Sequence, residues 1–390
     1  MNASKIGILT GGGDVPGLNS VIKSVVYRAT EMGREVVGVR KGWEGLTHLS
    51  PSDATDPKYV TPLTRENTRA IDRSGGTVLH TSRTNPWKTK PVKIPPHLKD
   101  SDVSKYAIDE TTFDLTPIVL NNLERLGITT LIAIGGDDTL SYAARLEREG
   151  FPVVAIPKTM DNDVRNTEYC IGFSTAITRA KELITRQRTT CGSHERIGVF
   201  RIFGRDAGFT ALYTGYVTST RCLIPEHPFD LELICDLLME DKRNNRSNYS
   251  LVVVSEGAAW TGYEVSEFGE ADAYGHRKKV DIGQALAQEI RRRTGQETMA
   301  SDLTYDLRSG DPDSIDHLVA ITFANIALDL VSDNVTGRMV GIQGGRYCHA
   351  EIPDPAAGAR TVDLEKFYNV DRYRPRYDNK LGTPLMLESV

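Results

Sequence analysis

The chain of 390 residues is 39% hydrophobic and 25% charged, and its length predicts two globular lobes rather than one core. Its 47 basic and 52 acidic residues give a formal charge of −5, which disfavours a general binder of nucleic acid or of a membrane surface. The apolar runs are shorter than a transmembrane helix requires, and the N-terminus lacks the regions of a signal peptide. Five scattered cysteines without a C-x-x-C pair favour reduced thiols, so we expect a cytoplasmic protein.

The first predicted unit is a strand, a glycine-rich turn and a helix. The strand covers residues 6–9, the turn covers 10–17, and helical spacing of apolar residues begins at Leu18. Free N–H groups and the dipole at such a helix start favour anions. Leu18 stands where a Walker loop needs lysine, and Pro16 stands where a dinucleotide fingerprint needs glycine. The turn is either a phosphate cradle or a glycine turn with a purely geometric role.

Two segments follow a second predicted strand at residues 36–39. The first, residues 74–83, is polar enough to line a site and ends at Arg83. The second, residues 85–111, is rich in proline and lysine. Its composition predicts an inserted surface loop whose lysines form a solvated face.

Acidic turns follow the next two predicted strands. The strand at 131–134 leads into G-G-D-D-T (135–139), and the strand at 153–156 leads into P-K-T-M-D-N-D (157–163). Because the carboxyl ends of neighbouring parallel strands lie at one edge of a sheet, we expect these turns to meet. Their four carboxylates require a cation or a bound proton to offset their repulsion, and Mg²⁺ carrying phosphate oxygens is the simplest such cation. The turns predict a phosphoryl-transfer site, although aspartates that only cap loops would give the same local pattern.

The rest of the chain continues the alternation of helices and strands. A helix is predicted from 172 to about 189, strands at 197–202 and 251–254, and helices from 282 and from 314. This order predicts an α/β fold of two Rossmann-like lobes with mainly parallel sheets. We assign residues 1–171 plus about 308–342 to a phosphoryl-donor lobe. Residues 172–307 plus about 343–390 form an acceptor lobe with a C-terminal extension.

Eight ordered motifs resemble the phosphofructokinase family from Ile6 to about Gly341. They are T-G-G-G-D-V-P-G-L-N (10–19), G-G-D-D-T (135–139), P-K-T-M-D-N-D (157–163), G-F-S-T-A (172–176), S-H-E-R (193–196), F-G-R (203–205), S-E-G (255–257) and Y-D-L-R-S-G (305–310). Lipid and NAD kinases share only the glycine–aspartate loop. The resemblance implies a phosphofructokinase-type fold and Mg²⁺-dependent phosphorylation of fructose 6-phosphate at its 1-hydroxyl.

The resemblance also implies roles for residues on the donor side. Asp161 corresponds to the general base, a role open to a carboxylate that stays ionised beside a metal-bound phosphate. Asp137 and Asp163 correspond to the Mg²⁺-associated carboxylates. The remaining implied contacts, with the donor phosphates or with the reacting end of the sugar, are Gly12, Arg83, Asp138, Thr139, Lys158 and Thr159.

On the acceptor side, the resemblance implies contacts with the sugar phosphate. These residues are Phe203, Gly204, Arg205, Glu256, Tyr305 and Arg308. Arg196 matches an arginine that reaches the 6-phosphate from the neighbouring subunit, which implies a homodimer or homotetramer. Met299 stands where bacterial ATP-using members often place a further phosphate-binding arginine. Lys278, Lys279 and Arg221 are candidates to replace it.

Two positions bear on the phosphoryl donor. Where Asp138 and Lys158 stand, ATP-using relatives usually have glycine, so the pair resembles the pyrophosphate-dependent branch. At about 4 Å a like charge costs roughly 1–4 kcal/mol, which would oppose the α-phosphate of a nucleotide near Asp138. An ATP-dependent enzyme is the first alternative, and sedoheptulose 7-phosphate is an alternative acceptor. A non-catalytic sugar-phosphate-sensing subunit is disfavoured because Asp137, Asp161 and Asp163 are all present, and a dehydrogenase is disfavoured by Pro16.

Overall fold

The computed structural model describes residues 5–98, 102–262, 267–268, 278–279 and 281–378. Its two main sheets are mostly parallel and are flanked by helices, which confirms the predicted α/β class. The strands predicted from the sequence each lie within an observed strand. Several further elements, such as the edge strands, escaped the sequence reading because they are short or half polar.

The described strands and helices alternate along most of the chain. In chain order the strands are β1 (Lys5–Thr10), β2 (Glu35–Val39), β3 (Val60–Leu63), β4 (Ala107–Asp109), β5 (Thr112–Phe113), β6 (Ile128–Gly135), β7 (Val153–Pro157), β8 (Ile197–Ile202), β9 (Arg221–Leu223), β10 (Ser250–Ser255), β11 (Glu267–Phe268), β12 (Lys278–Lys279), β13 (Thr298–Asp302), β14 (Arg338–Gln343), β15 (Arg346–Glu351), β16 (Tyr368–Asn369) and β17 (Arg374–Pro375). The α-helices are α1 (Leu18–Glu31), α2 (Trp43–His48), α3 (Thr116–Leu126), α4 (Asp137–Arg148), α5 (Phe173–Ser193), α6 (Phe209–Thr218), α7 (Leu231–Asn244), α8 (Ile282–Thr294), α9 (Thr304–Arg308), α10 (Ser314–Ser332) and α11 (Leu364–Phe367).

Short 3₁₀ turns lie mainly in the segment that we predicted to be a surface loop. They are Ile71–Arg73, Pro86–Lys88, Pro91–Lys93, Pro96–Leu98, Ser104–Tyr106 and Pro355–Ala357. Proline opens four of the six because its fixed φ suits the first position of a helical turn and its missing N–H is not needed there.

The large sheet has the strand order β15-β14-β7-β6-β1-β2-β3. Its five inner strands are parallel, and the edge strands β3 and β15 run antiparallel to their neighbours. In this register Thr10 pairs with Ile134, and Gly135 pairs with Pro157. The glycine turn and both acidic turns therefore leave adjacent strands at the same level.

The small sheet has the order β13-β8-β10-β9 and is parallel throughout. The last described segment packs on its far edge. The Tyr368 hydroxyl donates to the Cys222 carbonyl at 2.6 Å, and the Cys222 N–H donates to the Tyr373 carbonyl at 2.8 Å. Both tyrosine side chains are buried, so this segment extends the core of the small lobe.

The lobe boundary predicted near residue 342 lies inside a hairpin of the large sheet. Gly344 and Gly345, with φ of 58° and 76°, form the tight turn that joins β14 to β15. Two consecutive positive φ values suit the two-residue hairpin turn, for which glycine is favoured. We propose that the donor lobe extends through about residue 351 and that the chain returns to the acceptor lobe after it.

A buried carboxylate joins the two lobes. Asp316, in the first turn of α10, accepts hydrogen bonds from the N–H groups of Gly172 and Thr175, both at 2.8 Å. It also accepts from the hydroxyls of Tyr169 at 2.6 Å and Thr175 at 2.5 Å. Burial raises the pKa of Asp316 to about 6. Because Gly172 provides no side-chain cap for α5, Asp316 acts as the cap from another helix.

Helix α10 is the one described helix that is long and apolar enough to cross a membrane. It packs against α1, α5, β7 and β14, and its buried side chains belong to the main core cluster. This packing accounts for its apolar composition as that of a core helix.

We predict that Asp316→Ala lowers the free energy of unfolding by about 3 kcal/mol or more, because it leaves two buried N–H groups without acceptors. Denaturant unfolding followed by circular dichroism measures the change. Asp333→Ala, at the exposed C-terminal end of the same helix, is the control and should change it by less than about 0.5 kcal/mol. Equal losses in the two variants would contradict the capping role.

Candidate active site

Loops from both sheets surround one crevice with a volume of about 1120 Å³. The large sheet contributes the loops that follow β1, β6 and β7. The small sheet contributes the loops that follow β8, β10 and β13. All six loops leave the carboxyl ends of their strands, where ligands bind in parallel sheets. The crevice therefore lies where the sequence placed the two acidic turns, with a facing set of loops from the second lobe.

Close backbone contact joins the glycine turn to the first acidic turn. The Gly11 N–H donates to the Ile134 carbonyl at 2.9 Å. A Cβ on Gly11 would lie 2.4 Å from the Thr139 hydroxyl oxygen, and one on Gly135 would lie 2.2 Å from the Thr139 Cβ. Glycine is required at both positions because Thr139, in the first turn of α4, occupies the space.

Buried carboxylates line the crevice. Burial, with the charge of Asp163 second, raises the pKa of Asp137 to about 7. Burial is also the main reason why the pKa values of Asp161 and Asp163 are raised, and neighbouring carboxylates add to the effect. Asp206, which the sequence reading missed, also lines the crevice and raises the pKa of Asp137. A positive ligand would relieve this repulsion.

The carboxylate oxygens of Asp137 and Asp163 fit a hard divalent cation, since such ions prefer oxygen ligands. In the described parts of the chain, no three or more His, Cys, Asp or Glu side chains form a group that could hold a metal ion. This set suits a cation that keeps several waters and takes its other ligands from substrate phosphates, as Mg²⁺ does.

Basic side chains occupy the part of the crevice beside the glycine turn. A Cβ on Gly12 would lie 3.2 Å from the Lys158 Nζ, so this amine lies next to the turn. Burial, with the nearby Arg308 charge second, lowers the pKa of Lys158 to about 8. The Arg308 guanidinium donates to the Asp14 carbonyl at 2.9 Å and lies 4.7 Å from the centre of the Phe203 ring. Arg83 also lines the crevice. Together these groups offer a site for a polyanion.

On the small-sheet side, Glu256 lies between two arginines. Its carboxylate is 3.5 Å from the Arg201 guanidinium and 3.8 Å from that of Arg205. Arg201 also bonds Asp302 at 2.7 Å, which fixes its orientation. The sequence reading did not single out Arg201. The only signal was a charged residue near the end of an otherwise apolar strand.

Most of the predicted site residues line this crevice in the single chain. They are Gly12, Arg83, Asp137, Asp138, Thr139, Lys158, Thr159, Asp161, Asp163, Phe203, Arg205, Glu256, Tyr305 and Arg308. The side chain of Tyr305 is 80% exposed there. Gly204, with φ of 129°, lies between two lining residues and allows the chain to turn beside Ser255.

Two of the other predicted residues, Arg196 and Arg221, lie away from the crevice. Arg196 precedes β8, so a strand of six residues, about 20 Å long, separates it from the crevice. Arg221 cannot replace the arginine missing at Met299, because its guanidinium is buried in an ion pair with Asp241 at 2.7 Å. The side chains of Lys278 and Lys279 lie outside the described part of the structure.

The Phosphofructokinase family model matches residues 5–331. The chain belongs to this family. A pyrophosphate–fructose 6-phosphate 1-phosphotransferase of Amycolatopsis methanolica is 38% identical over 93% of this chain and 97% of its own length. An ATP-dependent 6-phosphofructokinase of Corynebacterium efficiens is 34% identical over 94% of this chain and 98% of its own.

The fold also agrees with that of solved structures. A pyrophosphate-dependent phosphofructokinase from Nitrosospira multiformis superposes with a TM-score of 0.75 at 15% identity, over 96% of this chain and 89% of that one. At this identity the similarity shows the fold alone. It confirms the phosphofructokinase-type architecture expected from the motifs.

The neighbouring glycines of the first acidic turn should respond differently to alanine. We predict that Gly135→Ala destabilises the protein by about 1–3 kcal/mol or more, because the new Cβ would overlap the Thr139 Cβ. Gly136→Ala should be tolerated, since φ there is −87° and the nearest atom is the Lys158 carbonyl oxygen at 3.4 Å. Thermal unfolding of both variants measures the difference. Equal midpoints would contradict the close approach described above.

Proposed function

We propose that the protein transfers a phosphoryl group from pyrophosphate to the 1-hydroxyl of fructose 6-phosphate. The products are fructose 1,6-bisphosphate and phosphate, and the reaction is reversible. The observation that carries the choice of donor is the pair Asp138 and Lys158, which both line the crevice where the glycine turn meets α4. Relatives named for pyrophosphate, with identities of up to 38%, support the same donor.

The charges at these two positions favour a short donor. Asp138 lies in the first turn of α4, where a third phosphate or a nucleoside beyond the diphosphate would meet a carboxylate. Lys158 is buried close to Gly12 and offers a point charge to the terminal oxygens of an inorganic diphosphate. Gly12, Arg83 and Thr139 provide the remaining donor contacts.

We assign proton removal from the sugar hydroxyl to Asp161. Its N–H donates to the Thr159 hydroxyl at 3.2 Å, and its carboxylate accepts from the Arg205 N–H at 3.4 Å, so neighbours orient the carboxylate. Thr159 holds the reacting end of the sugar, and Arg83 stabilises charge on the transferring group. Mg²⁺, held by Asp137 and Asp163, neutralises phosphate charge when it is bound.

The acceptor site lies on the small-sheet side of the crevice. Glu256 accepts a hydrogen bond from a sugar hydroxyl. The sugar also contacts Phe203, Gly204 and Arg205. Tyr305 and Arg308 bind its 6-phosphate. Arg196 lies too far from the crevice of its own chain, so we assign it to the 6-phosphate of a neighbouring copy in a cytoplasmic homodimer or homotetramer.

We predict turnover of fructose 6-phosphate with pyrophosphate and Mg²⁺, little with ATP, and none after metal removal with EDTA. The double variant Asp138→Gly, Lys158→Gly should shift the ratio of kcat/KM for ATP to kcat/KM for pyrophosphate toward ATP by about tenfold or more. The reason is that it removes the carboxylate that opposes a nucleotide and the amine that binds the diphosphate. The same assay measures both proteins with both donors.

The single variant Arg34→Gln, at a half-buried position before the amino end of β2, is the control and should leave the donor ratio unchanged. Wild-type turnover with ATP but none with pyrophosphate would overturn the choice of donor. An unchanged ratio in the double variant would show that these two residues do not select it.

The titration of Lys158 predicts a pH dependence of donor binding. With its pKa at about 8, the amine is mostly charged at pH 7 and mostly neutral at pH 9. The KM of the wild type for pyrophosphate should therefore rise by up to about tenfold between pH 7 and pH 9. The rise in Lys158→Gln should be smaller, because glutamine does not titrate. The KM for fructose 6-phosphate, measured in parallel, is the control. Identical pyrophosphate profiles in the two proteins would refute the contact.

A further inference from the structure

The segment 353–363, between β15 and α11, lies against the loop 158–168, which carries Asp161 and Asp163. The two segments are far apart in sequence. Pro353, Asp354, Gly358 and Ala359 line the crevice. The 3₁₀ turn Pro355–Ala357 contacts α4, which carries two of the acidic residues. The segment forms part of the wall of the active site.

Arg360 makes the closest contacts of this segment with the loop 158–168. Its backbone N–H donates to the Asp163 carbonyl at 2.6 Å. Its guanidinium donates to the Asn162 carbonyl at 2.5 Å and to the Glu168 carbonyl at 3.3 Å. It also lies 4.3 Å from the centre of the Phe209 ring, so the side chain is held between the loop and the start of α6.

The loop needs such support at Asn162. This residue stands between Asp161 and Asp163 and has φ of 55°, a conformation that costs free energy in a residue other than glycine. The Asn162 side chain bonds the Glu168 carbonyl at 3.0 Å and the Cys170 N–H at 2.8 Å. Arg360 binds the backbone carbonyl of Asn162. The directions of both aspartates therefore depend on contacts that include Arg360.

Both flanks of Arg360 are fixed as well. The Arg165 guanidinium donates to the Gly358 carbonyl at 2.8 Å. The Val362 N–H donates at 2.8 Å to the buried Glu226 carboxylate, which also accepts from the Gly208 N–H at 2.8 Å. The Arg360 guanidinium thus bonds carbonyl oxygens of the loop rather than a carboxylate.

We propose that Arg360 is a positioning residue for the reaction, which holds the strained Asn162 backbone and thereby aims Asp161 and Asp163 into the crevice. Arg360 does not line the crevice and contacts the loop only through carbonyl groups. Its loss should therefore affect the chemical step more than sugar binding. The kinetic test of this proposal rests on the proposed function. The hydrogen-exchange test of the loop 158–168 rests on the structure alone.

The test compares Arg360→Gln and Arg360→Lys with Arg376→Gln. Arg376 is a matched control, because it is also half-buried in the C-terminal segment and donates to a carbonyl, that of Tyr368 at 3.2 Å, away from the loop. Arg360→Gln should lower kcat about tenfold to hundredfold, with the KM for fructose 6-phosphate within about threefold of wild type. Arg360→Lys should recover part of the loss, since it keeps the charge but not the fork of donors.

Hydrogen exchange of the intact protein gives a readout that does not require activity. Peptides covering 158–168 should exchange faster in Arg360→Gln than in wild type or Arg376→Gln. The proposal is refuted if both kcat and exchange in Arg360→Gln equal those of Arg376→Gln. If Arg360→Gln does not fold, the same two measurements on Arg360→Lys decide. If the wild type turns over no substrate, the proposed function fails while the exchange experiment still tests the role of Arg360.

Discussion

The crevice concentrates carboxylates that are too deeply buried to be ionised together without positive charge beside them. The raised pKa values of Asp137, Asp161 and Asp163 express this cost, and the lowered pKa of Lys158 expresses the corresponding cost for a buried amine. A polyanion that brings a divalent cation offsets both, because it supplies positive charge to the acids and negative charge to the base. The site is thus suited to bind a metal-bound phosphate donor.

Hydrogen bonds between the start of α10 and the start of α5 help to hold this arrangement. Asp316 and Asp313, at the start of α10, accept hydrogen bonds from backbone N–H groups at the start of α5 and from the Ser174 and Thr178 hydroxyls in its first two turns. Gly172, at the start of α5, also packs against Val15 of the glycine turn. Helix α5 is therefore tied both to α10 and to the glycine turn, so that loops from the two sheets face one another.

Distant parts of the chain support the loop 158–168, which carries Asp161 and Asp163. Thr210 in α6 donates to the Met160 carbonyl at 2.8 Å, and Arg360 binds the carbonyls of Asn162 and Glu168. A loop with a left-handed asparagine between two aspartates is not stable by local preference alone. Its shape is determined by the small lobe and by the C-terminal segment together, which couples the acidic residues to the acceptor side of the crevice.

The sequence by itself determined the parallel α/β class, the meeting of the two acidic turns and the family, because buried strands, glycine turns and ordered motifs are local patterns. Most of the site residues that it indicated line the crevice. The sequence could not locate Arg201, Asp206 or Arg360, since each acts through partners that are far away in sequence. Arg201 and Glu256 are 55 positions apart, and Arg360 and Asn162 are 198 positions apart. Only the tertiary structure decided that Arg221 forms an ion pair with Asp241 and that β15 belongs to the large sheet. It also decided that the C-terminal segment contacts the loop 158–168. Contacts between segments so distant in sequence depend on how whole elements pack, and no local pattern of residues encodes that packing.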